Sequence, residues 1–114
     1  MAESNFHFQR DDFEEIIKSL RLFLSEKEID DVRPSVKFRN DILANSTLQK
    51  ILNREKYLDA ENIRIIVASL QLQSIKLTEA LRKSKSRTLH VRLIHVNFLL
   101  ESLLADLEEH GLHL

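Results

Sequence analysis

Arg82, Lys83, Lys85, Arg87 and Arg92 gather positive charge around Ser84, Ser86 and Thr88. A guanidinium or ammonium group beside hydroxyls and the free N–H groups of a helix start is the chemistry that holds a phosphate or a carboxylate. One helix is expected to end near Lys83 and the next to begin near Thr88. Cations suit the end of the first, but Arg87 and Arg92 oppose the positive end of the second helix's dipole. A chain that carries this repulsion is a candidate to use it on an anionic ligand, against the plainer reading of a solvated basic turn. No aromatic side chain is interleaved with the charges, so there is no stacking platform for single-stranded nucleic acid.

The acidic counterpart is Glu101, Asp106, Glu108 and Glu109, the last two at a helix C-terminus where anions are disfavoured. Other residues of the chemical alphabet are less promising. His90 and His95 are five residues apart, about 140° around a helix, and cannot hold one ion from a single helix. His110 and His113 have a usable spacing, but Gly111 interrupts the helix between them. No metal site is expected. Arginine and histidine within one turn, as in Arg87 with His90 and Arg92 with His95, are a weak basis for metal-independent RNA cleavage. The adjacent carboxylates Asp11 and Asp12, Glu14 and Glu15, and Asp30 and Asp31 point about 100° apart on a helix and read as solvated faces. No catalytic set can be assembled from residues whose proximity the sequence establishes, and no cofactor is expected.

Composition removes further classes of function. The chain has 114 residues, 43% apolar and 31% charged, with one Gly and no Cys. Without glycine loops there is no phosphate-binding P-loop, dinucleotide fingerprint or nucleophile elbow. Without cysteine there is no disulfide framework, thiolate nucleophile or cysteine-based zinc site. The size suits one soluble domain covering residues 1–114, its core supplied by 20 Leu and 10 Ile. The mostly polar first ten residues and the lack of a long apolar run lead to the expectation of a cytoplasmic protein with no membrane partner. A net charge of −1 hides a gradient: −3 over residues 1–62, +6 over 63–92, and four acids with no bases thereafter.

Every long apolar pattern has the 3.6-residue period, which predicts an all-α domain with more than about 60% helix and no strand. Asp59 is placed to cap a run from Ala60 to about Lys83 by accepting from the N–H groups of Glu61 and Asn62. Ile63, Val67, Leu70, Ser74, Leu77 and Leu81 form one stripe along that run. From Thr88 to about His110 a second stripe comprises Leu89, Leu93, Val96, Leu100, Leu103 and Leu107, with Gly111 as the terminating residue. Two equal helices joined by a short polar link predict an antiparallel hairpin over residues 59–111. Residues 1–58 read as shorter helices packed on it. Phe13, Ile16, Ile17, Leu20, Phe23 and Leu24 mark the first, behind Asp11 and Asp12. Ser25 and Glu28 cap a short turn through Val32 stopped by Pro34, and Val36, Phe38, Ile42 and Leu43 mark a third segment. Ser46 and Gln49 cap a fourth through Leu48, Ile51 and Leu52.

Both hairpin helices also have a second apolar face. Val91, Ile94, Phe98 and Ala105 lie opposite one stripe, and Ile65, Ala68, Leu72 and Ile75 largely opposite the other. Leu99 stands on an otherwise polar strip between Arg92 and Asp106. Either the N-terminal helices cover these faces, or Ile65, Leu72, Ile75, Val91, Ile94, Phe98 and Leu99 belong to a protein interface, most simply between two copies of the chain. The leading expectation is therefore a small non-enzymatic regulatory or adaptor protein working by helix-to-helix binding as a homodimer. A nucleic-acid or phosphate-binding accessory protein using the basic tip is the alternative, and a metal-independent helical ribonuclease the third.

Overall fold

The computed structural model describes residues 4–5, 9–26, 34–55 and 57–109. The protein is all-α. Its helices are α1 (Arg10–Ser25), α2 (Pro34–Leu52), α3 (Ala60–Lys83) and α4 (Arg87–Glu109). Outside the expectation of no strand, β1 (Ser4–Asn5) pairs antiparallel with β2 (Tyr57–Leu58), Ser4 opposite Leu58 and Asn5 opposite Tyr57. That two-residue ladder fastens the chain ahead of α1 to the connection between α2 and α3.

Helix α1 begins where Asp12 Oδ2 accepts from the Gln9 backbone N–H at 2.9 Å, so the acid satisfies a donor that the helix leaves unpaired. Ile16, Leu20 and Phe23 recur at helical spacing and are buried. Fully burying a side chain such as Ile16 or Leu20 contributes about 1.5–3 kcal/mol. Ser25, expected as an N-cap, is the last residue of α1, and its hydroxyl donates to the Leu22 carbonyl. The expected turn through Val32 lies outside the described residues.

Helix α2 is one continuous helix of 19 residues, where the sequence suggested two segments divided at Ser46. Ser46 sits exposed in mid-helix, while Ala44, Thr47, Leu48 and Ile51 are buried around it. Packing of that face outweighs the capping preference of a serine, which is worth only about 1 kcal/mol. Pro34 opens this helix, in the first turn, where a missing N–H removes no intrahelical bond. The far end closes without glycine. Arg54 adopts φ 54°, its N–H donating to Ile51 and that of Glu55 to Lys50, the paired bonds of a Schellman motif. The left-handed region costs a non-glycine residue about 1–2 kcal/mol. The Arg54 guanidinium, 4.1 Å from the centre of the Phe13 ring, provides a partly offsetting cation–π contact.

Helix α3 spans the expected residues, and Asp59 Oδ1 accepts from the Asn62 N–H at 2.9 Å as the capping argument requires. Asn62 is 2% exposed and shares all its polar atoms: Oδ1 accepts from the Asp59 N–H and from Lys50 Nζ, each at 3.1 Å, and Nδ2 donates to Thr47 Oγ1 at 2.7 Å. The cap of α3 is thereby also its anchor to α2. Ser86 Oγ accepts from the Leu89 N–H at 3.4 Å and marks the start of α4. Gly111 lies outside the described residues.

Helix α3 packs against α4, α1 and α2, and α2 also packs against α1. One apolar cluster draws on all four helices, with Ile63, Ile66, Val67 and Leu70 of α3 and Val96, Leu103 and Leu107 of α4 within it. Among the described residues no helix is long and apolar enough to cross a membrane.

Candidate interaction surface on α4

Helix α4 is held by polar side chains on one flank and presents apolar ones to solvent. Glu15 of α1 is 4% exposed, and a carboxylate so placed needs a charged partner and further hydrogen bonds. Arg92 supplies them, Nη2 to Oε1 at 2.9 Å and Nε to Oε2 at 3.4 Å, and Gln73 Nε2 of α3 donates to Oε1 at 3.4 Å. One turn away, His95 Nε2 and Asp12 Oδ1 are 2.8 Å apart. The spacing matches on the two helices: acids three residues apart on α1 meet Arg92 and His95 three residues apart on α4, in opposite chain directions. A second ion pair, Lys76 Nζ to Glu26 Oε1 at 3.0 Å, ties α3 to the end of α1. The hydrogen bond from Lys76 to Glu26, and then the Glu26 charge, raise the Lys76 pKa.

These pairs fix which way α4 faces. Val91, Ile94 and Phe98, at 56%, 57% and 65% exposure, form a line on its outer side. Ala105 continues the line and is exposed. On α3, Ile75 is also 56% exposed, and the neighbouring Ser74 hydroxyl donates to Asn97 Oδ1 at 2.8 Å.

The other residues expected at an interface are placed differently. Ile65 and Leu99 are each 4% exposed and belong to the core, and Leu72 is half-buried. Leu99 follows Arg92 by two helical turns and so shares the flank that faces α1. Ile65 lines an open groove of about 530 Å³ with Phe23 of α1, Arg39, Asn40 and Leu43 of α2, and Ala68 of α3. Nothing in the sequence pattern marked that groove, because its walls come from three helices.

At the link between α3 and α4, Arg82, Lys83, Lys85 and Arg87 are exposed, as are Ser84 and Thr88. None of the four basic side chains makes an ion pair with another described residue. Arg92 is not part of this group, since its guanidinium is committed to Glu15. Glu15 and Asp12, read from sequence as members of solvated carboxylate pairs, are the residues that reasoning missed. The usable signal was their three-residue spacing, complementary to that of Arg92 and His95. Among the described residues no group of His, Asp and Glu is arranged to hold a metal ion, and His110, His113 and the pair Asp30 and Asp31 lie outside them.

No protein family, curated protein or solved structure matches this chain.

Proposed function

We propose that this is a small non-enzymatic regulatory or adaptor protein of the cytoplasm that acts by helix-mediated protein binding, as a homodimer. The observation that carries this reading is the line Val91, Ile94 and Phe98, three large apolar side chains more than half exposed on one side of a well-anchored helix. In this reading α3 and α4 form an antiparallel hairpin on which α1 and α2 rest, so that the outer side of α4 is left for a partner. Light scattering at tens of micromolar tests it. The unmodified chain is expected to run as a dimer, and Phe98→Glu as a folded monomer, since the introduced charge loses several kcal/mol in apolar surroundings. A monomeric unmodified chain would remove the homodimer from the proposal.

A second reading is favoured by the four exposed cations at the α3–α4 link, none of which makes an ion pair with another described residue: binding of phosphate or nucleic acid. Such binding would weaken steeply with added salt as counterions are released. The ribonuclease reading loses Arg92 and His95 to the pairs with α1 and keeps only Arg87 with His90.

A further inference from the structure

Resting on that proposed interface, we infer that its occupant is a second copy of this chain, and that the two α4 helices pair antiparallel about a two-fold axis passing beside Ile94. The outer side of α4 reads Arg87, Val91, Ile94, Phe98 and Glu101, all exposed. At 100° per residue these fall within a sector about 80° wide, a narrow helix seam. The sector is complementary to its own reverse: an apolar centre, a base at one end and an acid at the other.

That order decides between the two ways of pairing like helices. The midpoint of Val91 and Phe98 falls between Ile94 and His95. Pairing antiparallel about it places each Val91 on the Phe98 of the other copy, with the two Ile94 side chains meeting at the axis. With a rise of 1.5 Å per residue, Arg87 then lies about 11 Å to one side of the centre and Glu101 about 10 Å to the other. Each Arg87 meets Glu101 of the second copy. The cation at the positive start of α4, unfavourable within one chain, acquires a carboxylate. Exposed Glu108 extends past the start of the second α4, toward the cationic link of Arg82, Lys83 and Lys85. Parallel pairing would instead put Arg87 on Arg87 and Glu101 on Glu101, like charge on like, and would align the helix dipoles.

The chain has no cysteine, so introduced thiols report without background. Thr88 and Ser102 are exposed, flank the seam on one side and take no part in it. Thr88→Cys and Ser102→Cys proteins, tagged to differ in mass, are mixed and mildly oxidised, and the unmodified chain is measured in parallel by light scattering. The expected product is the mixed disulfide, because antiparallel pairing holds the two copies of residue 88 about 20 Å apart, beyond disulfide reach. In addition, Arg87→Glu and Glu101→Arg should each weaken self-association roughly tenfold at low salt, and the double variant should restore it to within about threefold. A dimer that yields Thr88→Cys homodisulfides, or that ignores both charge reversals, overturns the antiparallel pairing while leaving the proposed dimer standing. A monomer overturns both.

Discussion

The two sides of α4 reverse the usual distribution of polarity. Toward α1 it carries Arg92 and His95, and toward solvent Val91, Ile94 and Phe98. Both sides of the helix are apolar on these turns, so hydropathy alone does not choose between them. What fixes the choice is matched spacing, two acids on α1 against two bases on α4, together with Val96, Leu103 and Leu107 in the common core. A helix side is buried or exposed according to the partners its neighbours provide, and here the apolar side left over is the one facing solvent.

The contrast can be broken most severely from the inside. Arg92→Ala leaves the Glu15 carboxylate buried without its cation and is expected to lower stability by about 3–5 kcal/mol, read from the urea midpoint. Replacing both together, Glu15→Leu with Arg92→Met, should return stability to near that of the unmodified chain, because the ion pair largely offsets its own desolvation. A double variant as unstable as Arg92→Ala would show that the pair does more than neutralise itself.

An intermediate effect is expected where the polar contacts are uncharged. Asn62→Ala leaves the fully buried Thr47 hydroxyl without its 2.7 Å partner and should cost about 1–3 kcal/mol, again in the urea midpoint. The outer side should respond least in folding and most in association. Phe98→Ser should shift stability by no more than about 0.5 kcal/mol when measured at concentrations where the protein is monomeric. The triple change of Lys83, Lys85 and Arg87 to Gln should likewise leave the helix content intact by circular dichroism while reducing the salt dependence of dimerisation. If a nucleic acid is the ligand, its salt slope should fall by up to about 0.9 per charge removed.

The parts of the fold set by local signals were legible in the sequence. Helix α3 follows from Asp59 and its apolar stripe, and the existence of a second apolar side on α4, though not its exposure, from the position of Val91, Ile94 and Phe98 opposite the Leu93, Val96 and Leu100 stripe. What was not legible depends on a third helix. Ile65 and Leu99 read as surface when α3 and α4 are considered as a pair, and become core once α1 and α2 are added. Ser46 has the residue type of a cap, yet the burial of Thr47 and Leu48 beside it decides for continuous helix. Glu15 has the same chemistry as Glu14, and only the arrival of Arg92 and Gln73 distinguishes them.

The same carboxylate has a consequence for synthesis on the ribosome. Glu15 is separated by 77 residues from its arginine partner, so α1 emerges long before the cation that lets it close. At about 5–20 residues per second, Arg92 is made several seconds after Glu15. During that delay the flank of α1 beside Ile16 and Leu20 carries a carboxyl group whose arginine partner has not yet been made. The Glu15 pair can close only after α4 emerges, and a nascent chain stalled before residue 92 is expected to be cut by added protease where the released chain is protected.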